Sequence, residues 1–209
     1  MRILSLNVRG LGSLAKQKIL RHLLFALSPD VVLFQETMTS PYPTLFSFSK
    51  LCSGWEFCAL SSNGLSGGIL SGWNPKIIKC KAFHTAAGIL LKASIWGSSL
   101  NISILNCYGP YLNQNSFWNV VALGGLLSLP NLILAGDLNL TLNASEIWGS
   151  KAHPEPLGSF FSKLFSDHHL VDVALSCAGP TWRNGRIGED GISKRLDRFL
   201  LSNQLVSTL

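Results

Sequence analysis

The chain has 209 residues, 47% hydrophobic and only 13% charged, with 17 Lys and Arg against 11 Asp and Glu. That length suits one domain with a large core and leaves little room for two. So few charges argue against a helical bundle with wide charged faces and for an α/β fold of near-continuous apolar strands, and the excess of cations suits a polyanionic partner such as nucleic acid.

The first predicted element is the short strand RILSLN (2–7), closed by the turn-like VRGLG. A helix follows, with Leu14, Ile19, Leu20, Leu23, Leu24 and Leu27 on one side and Lys16, Lys18 and Arg21 on the other. Ser28-Pro29-Asp30 breaks it before the strand VVLFQE (31–36). GWEFCAL, GGILSGW, KIIKCKAFH and ILLKASIW then read as short strands between Gly, Asn and Pro turns. NISILNCYGP (101–110), NSFWNVVALGGLLSL (115–129) and LILAGDLN (132–139) repeat the opening strand–helix–strand order. Asn7 to Glu36 and Tyr108 to Asp137 span the same length, so two similar halves are expected to pack face to face. The chain is loop-rich from Asn139 to Pro156. A helix is marked by Leu157, Phe160, Phe161, Leu164 and Phe165, and the last strand by RLDRFLLS (195–202). No linker or low-complexity run divides residues 1–209, which read as a single domain.

Cys52, Cys58, Cys80, Cys107 and Cys177 include no CxxC pair and are odd in number. Neither a disulfide framework nor a zinc site is expected, and a reducing, intracellular compartment is. Met1 and Arg2 lead straight into a strand pattern, so no signal peptide is expected. The longest apolar stretch, ALGGLLSLPNLILA (122–135), is broken by Gly, Pro and Asn, and no membrane span or membrane partner is expected.

The trailing ends of the apolar strands carry polar residues: Asn7, Glu36, Tyr108, Asp137 and, just beyond, Asn139. A buried carboxylate costs several kcal/mol unless it is paired or holds a metal. Strand ends gather at one rim of an α/β sheet, where ligands bind. Glu36 and Asp137 together make a hard oxygen site suited to Mg2+ or Mn2+, completed by waters and phosphate oxygens.

LNVRG (6–10), FQET (34–37), NCYGP (106–110), GDLN (136–139) and RLDRFLLS (195–202) occur in an order that resembles the endonuclease/exonuclease/phosphatase superfamily. That superfamily includes deoxyribonuclease I, abasic-site endonucleases and the endonucleases of non-LTR (LINE-type) retrotransposons. SGGILSGW (66–73) and GPTW (179–182) look most like the plant retrotransposon branch.

The resemblance implies a four-layer α/β/β/α sandwich of two mixed sheets and a Mg2+-dependent cleavage of DNA phosphodiesters. It implies that Glu36 holds the metal and that Asn7 orders Glu36 and the metal's shell. Tyr108 would hydrogen-bond a phosphate oxygen, Asp137 would take a proton from the attacking water, and Asn139 would hold the water or the developing charge. Asp197 resembles the acid that orients the family's catalytic histidine. Thr181 falls at the DNA-facing rim. Arg9 stands where abasic-site enzymes carry an acid, which favours the deoxyribonuclease or retrotransposon type. Arg183, Arg186, Arg195 and Arg198 are expected on DNA phosphates, with Trp182 stacking or packing beside them. A nuclear location and a place in a longer retrotransposon polyprotein are implied as well.

FSDHHLVD (165–172) copies the spelling of the family's Ser-Asp-His segment but precedes the RLDRF strand instead of following it. His168 and His169 lie four residues beyond Leu164 and Phe165, so they are read as capping or packing residues at a helix end. No histidine follows Asp197, and the chain is expected to be a truncated domain with impaired catalysis. The alternatives are a non-catalytic nucleic-acid-binding remnant and a phosphatase acting on a small or lipid phosphate.

Overall fold

Strand β1 (Ile3–Asn7) runs parallel to strand β2 (Val31–Gln35), with Ile3 opposite Val31 and Asn7 opposite Gln35. The computed structural model describes residues 1–38, 40, 45, 48–63, 66–151, 153–177 and 179–208. They form two units, Met1–Tyr108 and Gly109–Leu209.

In the first unit, the parallel pair needs a crossover, and helix α1 (Leu14–Leu27) supplies it. Ser13 starts α1 by accepting the Lys16 N–H, and Ser28 ends it in a left-handed conformation. The apolar face of α1 differs from the expectation. Leu20 and Leu24 are buried, with Leu23 packed beside them, against Leu11, Val32, Phe34 and Leu70. Leu14, Ile19 and Leu27 are 76%, 69% and 45% exposed. Six positions spread over too wide an arc of the helix for all to face one sheet.

Strands β3 (Glu56–Asn63) and β4 (Ser66–Trp73) are antiparallel and complete a sheet of order β1-β2-β4-β3. Strands β5 (Ile78–Thr85), β6 (Gly88–Ile95) and β7 (Asn101–Cys107) form an antiparallel meander. A buried polar network joins β2, β4 and β7. Gln35 Nε2 donates to Asn106 Oδ1 over 2.7 Å, and Asn106 Nδ2 donates to the Leu70 carbonyl and to Ser71 Oγ. Because a slipped register would bury these amides without partners, the network fixes how the strands face one another. Gly88 is also required: a Cβ there would lie 2.1 Å from the Asn106 carbonyl oxygen.

In the second unit, helix α2 (Gln114–Leu123) leads through a 3-10 turn (Leu126–Ser128) to strand β8 (Leu132–Asp137), which is buried throughout. A second 3-10 turn (Ala144–Glu146) precedes strand β9 (Ile147–Trp148), and helix α3 (Gly158–Asp167) precedes strand β10 (Leu170–Asp172). Trp118 of α2 meets Phe165 of α3 edge-on at 5.6 Å. Strands β11 (Trp182–Arg183) and β12 (Ser193–Lys194) pair with each other, and β12 also pairs with β9. Strand β13 (Asp197–Ser202) lies antiparallel between β8 and β10, and a short helix, α4 (Asn203–Val206), follows. Two-residue strands carry no alternation, which is why 147–148, 182–183 and 193–194 read as loop in the sequence.

The two adjacent histidines end helix α3. The His168 N–H donates to the Leu164 carbonyl, and its Nδ1 lies 2.9 Å from Ser128 Oγ. His169 adopts φ +54°, and its carbonyl accepts the Asn203 N–H. His169 is exposed: the left-handed turn carries it off the apolar face that Phe161 and Phe165 bury.

Candidate active site

In the first unit, the ends of β1, β2 and β7 bring three of the expected residues together. Asn7 Nδ2 donates to Glu36 Oε1 over 2.7 Å, and the Tyr108 hydroxyl donates to the same oxygen over 2.9 Å. Neither bond uses Oε2, so the carboxylate is oriented by two neutral donors while it keeps an oxygen to offer a cation. Glu36 has φ +52°, a costly conformation for a residue with a Cβ. Its carbonyl accepts the Gly10 N–H over 2.7 Å, and Val8 and Leu11 bond its two neighbours, Gln35 and Thr37. These bonds hold the strained turn. Arg9, at φ +45°, donates its N–H to Asn7 Oδ1, so the turn after β1 fixes the amide that points at Glu36.

Among the described residues, no three His, Cys, Asp or Glu side chains converge as a metal cage. Mg2+ does not need one. It keeps several waters and takes one or two carboxylates plus substrate phosphate oxygens, so one oriented carboxylate and a neighbouring amide fit it.

In the second unit, Asp137 ends β8 and is buried, and Asp197 begins β13 directly opposite it. Asn139 has φ +52°. Its N–H donates to Asp137 Oδ1 over 3.0 Å, and its Nδ2 donates to the Gly109 carbonyl over 2.7 Å. Gly109 in turn donates its N–H to the Asp137 carbonyl. A Cβ on Gly109 would lie 2.0 Å from the Leu138 carbonyl oxygen, so only glycine allows this approach. Gln114 Nε2 donates to the Asn139 carbonyl over 2.5 Å. Gln114 was not legible as part of the site, since a polar residue opening a helix looks like any other. A cavity of about 140 Å³ opens beside Asn139, lined also by Tyr111, Gln114, Trp182 and Lys194.

Thr181 is exposed. Its Oγ1 accepts the N–H groups of both Leu196 and Asp197 at 3.0 Å, fixing the start of β13. Trp182 is half-buried against the cavity, while Arg183 and Arg186 are exposed.

The expectation that Arg195 and Arg198 meet DNA phosphates is corrected by their placement. The Arg198 side chain is fully buried and that of Arg195 is 13% exposed. Arg195 binds Asp172 through two nitrogens and Glu146 at 3.0 Å. Arg198 binds Asp172 at 2.6 Å and also pairs with Glu146. Burial pushes the Glu146 carboxyl up, but hydrogen bonds from Arg198 and the Leu142 N–H, with both arginine charges, outweigh it and hold its pKa below the ordinary value. Two arginines each bonded to both acids have no charge to spare for a phosphate. The acids that claim them, at 146 and 172, lie far away in sequence and gave no signal.

Each unit thus carries polar residues at its strand ends: an oriented carboxylate in the first, and a buried acid with an in-register acid in the second. The model of the Endonuclease/Exonuclease/phosphatase family matches residues 4–208, and the chain belongs to that family. No curated protein sequence matches it significantly. Among solved structures, the AP endonuclease LMAP from Leishmania major is 20% identical, with 99% of this chain and 80% of that chain covered and a TM-score of 0.75. An AP endonuclease from Archaeoglobus fulgidus is 15% identical over 99% and 88% of the two chains, with a TM-score of 0.76. The endonuclease domain of TRAS1, a telomere-specific non-LTR retrotransposon, is 16% identical over 99% and 87%, with a TM-score of 0.68. The expected class, α/β with two mixed sheets flanked by helices, is the fold of these structures. Among the described residues, no helix is long and apolar enough to cross a membrane, and all five cysteines are free thiols.

Proposed function

We propose that the chain is a divalent-metal-dependent DNA endonuclease of the non-LTR retrotransposon type, cutting phosphodiesters by attack of water. The observation that carries this reading is the convergence of Asn7 and Tyr108 on a single oxygen of Glu36. Two donors spent on one carboxylate oxygen orient the other for a hard cation, and Mg2+ (or Mn2+) bound there would neutralise the charge that phosphoryl transfer places on non-bridging oxygens. Glu36 is the ligand and Asn7 its positioning partner. Tyr108, when substrate arrives, turns its hydroxyl from Glu36 to a phosphate oxygen. Asp137 accepts the proton of the attacking water and Asn139 holds that water through its amide; Asp197 lies opposite Asp137, with no histidine after it to orient, so the leaving oxygen takes its proton from water and cleavage is slow.

Arg9, Arg183 and Arg186 contact DNA phosphates, Thr181 holds the β13 start against the substrate, and Trp182 packs against a nucleotide beside Asn139. The cation at position 9, where abasic-site enzymes resembling this chain carry an acid, favours the retrotransposon type over abasic-site repair. Such an enzyme works in the nucleus, as the nicking part of a longer polyprotein.

Nicking of supercoiled plasmid by the purified chain tests the reading. Nicking should require Mg2+ or Mn2+ and disappear in Glu36→Ala and Asp137→Ala. Salt-sensitive DNA binding with no nicking in either metal would leave a binding module instead. Release of phosphate from a small phosphate ester, with DNA untouched, would make the chain a phosphatase.

A further inference from the structure

Between Glu56 and Asp137 the sequence holds four lysines and no acid. The fold sets three of them side by side. Along β5, Lys79, Lys81 and Phe83 alternate with Cys80 and Ala82, so the first three share the exposed face of the strand. Lys92 of β6 lies directly opposite Lys81, half-buried, and donates from Nζ to Ser103 Oγ of β7 over 3.0 Å. Lys81 Nζ stands 5.3 Å from the centre of the Phe83 ring, which is 39% exposed. Like charges directly opposite on neighbouring strands destabilise a sheet. Among the described residues no acid pairs with any of these lysines to relieve it. Just past the end of β6, Trp96 donates its indole N–H to the Pro75 carbonyl and remains 62% exposed.

The strip has a direction. Phe83 lies two residues before Thr85, Thr85 pairs with Gly88, and Gly88 pairs with Cys107, the neighbour of Tyr108. It therefore runs from the strand end that carries Tyr108 to Trp96 at the opposite end, all within the first unit.

We propose that this face of β5 and β6 binds single-stranded nucleic acid, as a surface separate from the candidate active site. Alternate residues of a strand stand about 6–7 Å apart, so Lys79 and Lys81 form a file of cations that suits a linear polyanion. Phosphates bound there would offset the repulsion between Lys81 and Lys92, and unpaired bases would stack on Phe83 and Trp96. A duplex keeps its bases turned inward and cannot use those rings. A membrane surface is a plane and calls for a broader field of charge than one file of lysines.

Binding of a labelled oligo-dT of about 16 nucleotides, read by fluorescence anisotropy in EDTA, tests the proposal. Binding without divalent metal does not depend on cleavage, so its failure leaves the nuclease reading standing, and a failure to nick leaves this one standing. The double variant Lys79→Ala/Lys81→Ala should reduce the slope of log binding constant against log salt by about 1.4, two single-strand phosphate contacts at about 0.7 each. Phe83→Ala should weaken binding about tenfold at an unchanged slope, the mark of lost stacking. Lys81→Ala should not lower the thermal midpoint, because it removes a like-charge pair. A duplex of the same length should bind these variants as it binds the parent chain. No binding of oligo-dT up to about 0.1 mM at low salt, or variants that bind it like the parent, would overturn the proposal. So would equal losses on the duplex, or sedimentation with phosphatidylserine vesicles that the lysine variant abolishes while oligo-dT binding is kept.

Discussion

Tyr108 and Glu36, 72 positions apart in the chain, meet through a 2.9 Å hydrogen bond, and Asn7 joins them on the same carboxylate oxygen. On the proposed reading the bond is exchanged: the hydroxyl that orients Glu36 turns to the substrate. Tyr108→Phe should therefore lower the nicking rate about 10²- to 10³-fold, the usual loss for one donor aimed at developing charge. The unfolding midpoint in urea should barely move. A rate equal to that of the wild type would remove Tyr108 from the chemistry.

The acids of the buried ion network should matter for stability and not for DNA. Arg198→Ala leaves Glu146 and Asp172 short of a cation and should destabilise the chain by about 3–5 kcal/mol. The pH dependence has a definite sign. The Glu146 pKa is lower in the folded chain than in the unfolded one, so its contribution is full above the ordinary carboxylate range. It is lost as pH falls through the folded value. Urea unfolding from pH 7 down to pH 3 should show stability falling on the acid side, and Glu146→Gln should flatten that fall.

Exposed and buried arginines should separate in a salt titration. Arg183→Ala and Arg186→Ala should each reduce the slope of log binding constant against log salt by about 1, the mark of one lost phosphate contact. Arg195→Lys should leave the slope alone while lowering the thermal midpoint, because its guanidinium is bound on both sides by acids.

Gly109→Ala tests the backbone that positions Asn139. The added methyl would collide with the Leu138 carbonyl carbon at 2.5 Å and its oxygen at 2.0 Å. The strand end must move, at a cost of about 1–3 kcal/mol by analogy with overpacked cores. Circular dichroism melting should fall by several degrees, and the nicking rate should fall further than stability alone accounts for.

Much of the frame was legible because its signals are local. Alternation and continuous apolar runs mark β1, β2, β7 and β8, and the polar residues that end them stand out against those runs. The left-handed turns at Arg9, Glu36 and Asn139 were not legible, since none is glycine and nothing in their neighbours demands φ above zero. The rotation of α1 was hidden too: six leucine-like positions satisfy a helical period, and only the sheet beneath decides that Leu20 and Leu24 face it. Arg195 and Arg198 misled for a related reason. A cation beside a candidate acid looks like a substrate contact until Glu146 and Asp172 are seen to claim it. The histidines at 168 and 169 end α3, as their spacing suggested, but His169 leaves the apolar face, because nothing local announces its left-handed turn.

The account depends on Glu36 holding a divalent cation beside Asn7 and Tyr108. Substoichiometric Mn2+ added to the isotope-labelled chain, with backbone amide signals followed by NMR, tests this most directly. The account predicts that signals of residues 7–8, 36–37 and 108 broaden first, and that Glu36→Ala abolishes the effect. Broadening spread evenly over the chain, or unchanged in Glu36→Ala, would contradict it.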